Sequence, residues 1–204
     1  PRALQRQISY GLSKDIDNIT QLLLHNPLVI KDEDEKEDDS DLINQIAYLV
    51  TEERKGPLLR YIIKEQNLQQ VLVFASSAHR VDGVVNKLLK NKIDAAAIHG
   101  KKSMEFRREV LQEFKDGELR VLVATDLLSR GIDIDELPCV VNYELPRSPK
   151  DFVHRIGRTG RAESEGQAIS LITPLEEHHF KIIQKKMKKE VETVDSIDIN
   201  LHGY

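Results

Sequence analysis

Eight consecutive residues, His154-Arg155-Ile156-Gly157-Arg158-Thr159-Gly160-Arg161, concentrate most of the chemistry in this 204-residue chain. Arginine suits phosphate because its planar guanidinium stays charged and donates two parallel hydrogen bonds. Arg158 and Arg161 are three positions apart, which on a helical turn points both guanidiniums the same way. Gly157 and Gly160 remove bulk beside them, so a ligand or a facing domain can come close. A simple basic helix end would be a solvated face. The regular spacing of arginine and glycine favours a loop that touches phosphate.

Further polar residues follow short apolar runs. Ser76 and Ser77 come after Val71-Leu72-Val73-Phe74. At the carboxyl end of a strand they can donate to phosphate or cap the next helix, and capping is the simpler reading of the residues alone. His99-Gly100 follows Ala95-Ala96-Ala97-Ile98, with Arg107 on the helix beyond. For His99, a hydrogen bond inside its loop is favoured over catalysis. Thr125-Asp126-Leu127-Leu128-Ser129-Arg130-Gly131-Ile132-Asp133 follows Val121-Leu122-Val123-Ala124. Taken singly, Asp126 can cap a helix and Asp133 can form a turn, but those roles do not explain the whole spacing.

The elements that must position these groups follow from periodicity. A strand is expected over Ile43–Val50 and a helix over Thr51–Gln66, its apolar side formed by Leu58, Leu59, Ile62 and Ile63. Strands Val71–Phe74, Ala95–Ile98, Val121–Ala124 and Val140–Tyr143 then alternate with helices Ala78–Leu89 and Ser103–Phe114. Pro149–Arg155 reads as a further helix, Ala168–Thr173 as a strand, and Pro174–Glu190 as a closing helix whose lysine-rich end suits its dipole. Near-continuous apolar strands alternating with helices imply a parallel sheet covered on both faces. In such sheets ligands gather at the carboxyl ends of the strands, where the polar groups above fall. Upstream, Ser13 can cap a helix bearing Ile16, Ile19, Leu22 and Leu23, and Leu28–Ile30 reads as a short strand; residues 1–12 carry no clear period. Asp32–Asp41 is an acidic run read as a solvated linker in preference to a metal site.

Hydrophobic residues make up 40% of the chain and charged residues 31%, enough for a core under an ordinary polar surface. No apolar run nears the roughly 20 residues that span a bilayer. The single cysteine, Cys139, lies in an apolar run and reads as a packing residue; an intracellular setting is expected, cytoplasm and nucleus not being distinguished. The net charge of −4 is unevenly spread: residues 71–161 hold 16 basic against 13 acidic side chains, while the flanking segments are both acidic. Local positive charge is what phosphate binding requires.

The octet resembles the arginine-finger motif of DEAD-box ATP-dependent RNA helicases of superfamily 2. Thr125–Asp133 is similar to that family's Thr-Asp-x-x-Ala-Arg-Gly-x-Asp, with Ser129 in place of the commonest alanine. His99-Gly100 with Arg107 resembles another of its motifs, with Met104 standing where glutamine is usual. Asn142-Tyr143-Glu144-Leu145-Pro146 is similar to a further element. Ser9-Tyr10-Gly11 stands where Ser-Ala-Thr is usual, which departs from the family. The resemblance covers about residues 13–173 and implies an α/β, RecA-like three-layer sandwich, the second such domain of a helicase. It implies ATP contacts by Gly131, Asp133, Arg158 and Arg161, the last two acting as catalytic fingers. It implies RNA-backbone contacts by Ser76, Ser77, Gly100, Arg107 and Thr125. Arg130, His154 and Arg155 are expected to face the companion domain.

Residues 1–41 are then expected to be the end of a first helicase domain plus the acidic linker, 42–190 the C-terminal RecA-like domain, and 191–204 a tail. The chain contains no G-x-x-x-x-G-K-[ST] loop and no Asp-Glu-Ala-Asp motif. It is therefore expected to be inactive alone, with the N-terminal RecA-like domain of the same protein holding most contacts to ATP and Mg2+. Expected partners are RNA and that domain, with no membrane, no metal bound by this chain itself, and a monomeric state. The alternatives are a solitary non-catalytic RecA-like domain that binds RNA or protein, and a superfamily 2 DNA translocase fragment.

Overall fold

The computed structural model describes residues 43–126, 134, 136–160 and 166–204. The helix expected after Ser13, the strand Leu28–Ile30 and the acidic run lie outside these residues, as do Arg130, Gly131, Asp133 and Arg161. The described strands are β1 Ile43–Leu49, β2 Val71–Phe74, β3 Ala95–Ile98, β4 Val121–Ala124, β5 Cys139–Asn142, β6 Gly166–Ile172 and β7 Glu192–Asp195. The described helices are α1 Glu52–Glu65, α2 Ala78–Lys90, α3 Met104–Lys115, α4 Pro149–Ile156 and α5 Glu177–Met187. None of them is long and apolar enough to cross a membrane.

The strands form one sheet in the order β3-β4-β2-β5-β6-β1-β7, and every pair is parallel. All four residues of β2, β4 and β5 are buried, as strands covered on both faces require. On one face, α1 and α2 pack Leu58, Ile62, Val81 and Leu88 over Val71, Val73, Val121 and Val141. On the other, α3 sets Val110 and Phe114 against Leu72, Leu122 and Val140. Beside α3, the Phe152 and Ile156 side chains of α4 and Phe180 and Ile183 of α5 cover Ile43, Ala47, Ala168 and Ile172. These three layers are the expected RecA-like sandwich.

Helix boundaries follow from capping. The hydroxyls of Ser77, Ser103 and Ser148 accept from the backbone N–H groups of Arg80, Phe106 and Asp151, so each serine stands just outside its helix. The closing helix is shorter than expected. At its start, the Glu176 carboxylate accepts from the N–H and hydroxyl of Thr173 at 3.0 and 2.8 Å, and at its end Lys188 turns left-handed with φ 55°. The sheet also continues past residue 190, because β7 pairs with β1 from Ile46↔Glu192 to Leu49↔Asp195. Its polar Glu-Thr-Val-Asp sequence suits an exposed sheet edge and hides the strand from an apolar-period reading. Cys139 is buried in β5, and burial pushes its thiol up to about 12.

Candidate functional site

Register builds the site. Phe74 is paired with Ala124 and with Asn142, and Ile98 with Ala124, so β2, β3, β4 and β5 end level. The residues that follow, Ser76, Ser77, His99, Gly100, Thr125 and Glu144, therefore share one rim of the sheet. This is where a parallel sheet places ligands.

Along that rim, Ser76 and Ser77 are exposed. The Ser76 N–H donates to Glu144 Oε2 at 2.7 Å, and Glu144 Oε1 accepts from Arg80 Nε at 2.8 Å. Burial pushes the Glu144 carboxyl up, but hydrogen bonds from Ser76 and the charge of Arg80 outweigh it and hold the group below its ordinary value. Ser77 caps α2. His99 is buried, with Nε2 3.1 Å from Asp82 Oδ1, and its Nδ1 accepts from the Lys101 N–H at 3.3 Å. Accepting at Nδ1 places the ring proton on Nε2, aimed at Asp82. That is the loop-holding role expected of it, and it fixes the turn bearing the exposed Gly100. Arg107 lies half-buried on the first turn of α3, its Nε 3.4 Å from the Ser103 carbonyl. Met104 beside it is 78% exposed, an apolar side chain offered to solvent. Thr125 donates its N–H to Ile98 O at 3.3 Å, so its hydroxyl is what it presents at the rim.

The second half of the site is the loop after α4. Arg155, expected to face a companion domain, is fully buried, and this corrects that assignment. Its Nε and Nη2 donate to Asp126 Oδ1 and Oδ2 at 2.5 and 2.8 Å, the bidentate geometry a guanidinium favours. Its Nη1 donates to Asn142 Oδ1 at 2.9 Å and to the Glu144 carbonyl at 2.7 Å. The guanidinium also lies over the Phe74 ring, 4.9 Å from its centre. One side chain thus ties α4 to the ends of β2, β4 and β5. The pairing depends on Asp126 and Asn142, which short-range reading treats as a cap and as the end of a strand. An asparagine closing an otherwise apolar, buried strand is the signal that could have revealed it.

The helix stops at Ile156, before the expected fingers. Gly157 caps it, the Arg158 carbonyl accepts from the Leu137 N–H at 3.0 Å, and Thr159 bridges to Leu137. The Thr159 hydroxyl donates to the Leu137 carbonyl, and Gly160 takes φ 65°. Arg158 and Arg161 are therefore not on one helical turn, contrary to the spacing argument. Gly160's left-handed backbone favours glycine. Gly166 is needed for a different reason: a Cβ there would stand 2.2 Å from both Gly160 N and Thr159 Oγ1. His154 and Arg158 are half-buried on this loop and helix end, at the same rim as Thr125.

The fold and this rim define a RecA-like helicase domain. Residues 54–163 match the helicase conserved C-terminal domain family, and the chain belongs to that family. Over 181 residues it is 36% identical to the ATP-dependent RNA helicase CshA of Listeria monocytogenes, covering 89% of this chain and 35% of that protein. A DEAD box protein from the hyperthermophile Methanococcus jannaschii superposes with TM-score 0.72 at 33% identity, over 90% of this chain and 49% of that one. The C-terminal domain of the DEAD-box protein Dbp5 superposes with TM-score 0.73 at 28% identity, over 80% of this chain and 96% of that one. The chain thus spans about a third of the length of the curated relative and resembles the C-terminal domain of these DEAD-box proteins.

Proposed function

We propose that the chain is the C-terminal half of an ATP-dependent RNA helicase that unwinds short RNA duplexes locally. The observation that carries this reading is the Arg155 clamp, which fixes the finger loop to the ends of β2, β4 and β5. A basic loop held against the rim where RNA-facing groups emerge is what a domain closing on ATP and RNA together needs. Arg158 and Arg161 would reach the γ-phosphate of ATP held by the companion N-terminal domain. Such fingers are worth about 10³–10⁵ in rate in phosphoryl transfer. Gly131 and Asp133 would contact the nucleotide, and Arg130 and His154 would face the companion domain. Ser76, Ser77, Gly100, Arg107 and Thr125 would hold RNA through sugar and phosphate, with weak sequence preference. Among the described residues no three acidic, histidine or cysteine side chains gather to hold a metal, which supports assigning Mg2+ to the companion domain. The reading takes residues 1–41 as the approach from that domain, and a monomeric, intracellular protein.

The test is association. The chain and a separately produced first domain are mixed and followed by sedimentation with single-stranded RNA and a non-hydrolysable ATP analogue. Tight association only when both ligands are present, weakened by Arg158→Ala, is the expected result. Association indifferent to ATP would point to a solitary binding module instead, and equal response to DNA would point to a DNA translocase.

A further inference from the structure

Away from the rim, on the face covered by α1 and α2, a cleft of about 170 Å3 with its open mouth lies between the two helices, lined by Gly56, Leu59, Arg60, Lys87, Leu88 and Tyr143. Arg60 is only 7% exposed, yet it makes no ion pair among the described residues and its Nε is buried with no hydrogen-bond partner. A buried cation left uncompensated is costly, because it gives up hydration without a partner. Burial accordingly lowers the Arg60 pKa from its ordinary value.

Nearby acids are engaged elsewhere. Glu52 pairs with Arg80, and its Oε2 lies 3.7 Å from Lys55 Nζ. Glu144 is held by Arg80 and Ser76, and Glu176 by Lys55 at 3.0 Å. Lys87, on α2 across the cleft, has no ion pair either among the described residues.

Gly56 marks the centre of the arrangement. A Cβ built on it would lie 3.5 Å from Arg60 Nη1, 3.7 Å from Lys87 Cδ and 3.9 Å from the Tyr143 hydroxyl. A guanidinium, a lysine stem and a phenol therefore converge on one point that a helical glycine leaves open. Burial pushes the Tyr143 phenol up to about 12, so it is protonated and able to donate.

We propose that this cleft is a phosphate-binding subsite, in which the Arg60 guanidinium, the Lys87 ammonium and the Tyr143 hydroxyl hold one dianionic phosphate. Two uncompensated cations ask for two negative charges. Inorganic phosphate or a phosphate monoester supplies about that charge near neutral pH, whereas a carboxylate or an RNA phosphodiester carries one. Guanidinium and phosphate also match in fork geometry.

The test uses the 204-residue chain with inorganic phosphate as the probe and sodium chloride at equal ionic strength as reference. Phosphate at about ten times its Kd should raise the melting temperature by roughly 3–6 °C beyond the chloride reference. It should also shift the Arg60 Nε–Hε resonance saturably in NMR. Dimethyl phosphate, a singly charged diester, should do neither at the same concentration. Lys87→Met should abolish both responses. Because substituting Arg60 risks the fold, Gly56→Ala is the second variant: its methyl meets neighbours only at ordinary contact distance, and alanine favours the helix, so the chain stays folded while the phosphate position is filled. It should lose the response without losing stability. A rise no greater than with chloride, or one that survives in both variants, would overturn the proposal. An equal response to dimethyl phosphate would overturn the dianion assignment and move the ligand to the RNA backbone.

Discussion

At the scale of single residues, Arg155 does the most to hold the site together. It is buried with its charge matched by Asp126, Asn142 and the Glu144 carbonyl, so its removal leaves a carboxylate and two acceptors without their donor. Arg155→Met should lower stability by about 3 kcal/mol in urea denaturation. Arg155→Lys should recover little of it, because an ammonium cannot reproduce the fork. Glu144 adds a pH dependence. Its folded-state pKa lies below the ordinary 4.5, so its contribution is fully present above 4.5 and is lost as pH falls through the folded value. Stability measured from neutral pH downward should fall less steeply in Glu144→Gln than in the unsubstituted chain; parallel curves would contradict this. Met104, 78% exposed where glutamine is usual in the family the chain resembles, is open to a direct comparison. Met104→Gln should tighten single-stranded RNA binding by about 0.5–1.5 kcal/mol if it restores one hydrogen bond, read by fluorescence anisotropy.

At the scale of elements, the strands most open to sequence reading are those buried on both faces. Val71–Phe74, Ala95–Ile98 and Val121–Ala124 stand where their apolar runs end, because a strand covered by helices on both sides tolerates no polar interruption. Two features escape that logic. β7 is a polar edge whose only strand neighbour is β1, and its alternation is too short and too charged to stand out from a tail. The finger loop escapes it too, because its shape is set by Leu137 and Gly166 and not by the spacing of its own arginines. His99 and Ser77 take the local roles their residue types suggest, whereas Arg155 does not, since its partners lie 29 and 13 positions away in sequence. The loop's dependence on its neighbours gives a test at this scale. Gly166→Ala would drive a methyl to 2.2 Å from Gly160 N and Thr159 Oγ1, so the loop or β6 has to move. The substitution should cost about 1–3 kcal/mol in stability and shift the NMR signals of residues around Thr159 more than those around α1.

At the scale of the whole molecule, the sheet presents RNA-facing groups and a finger loop along one rim, while the chain has no P-loop of its own. Such a domain is half of a site, and its activity should appear only when the other half is supplied. RNA-stimulated ATP hydrolysis is therefore the most direct measurement, made on the 204-residue chain alone, on a folded first domain alone, and on the two mixed, with Arg158→Ala as the control. The account expects silence from each part, hydrolysis on mixing, and its loss in the Arg158→Ala mixture. Hydrolysis by the isolated chain, or hydrolysis on mixing that is unchanged by Arg158→Ala, would contradict it.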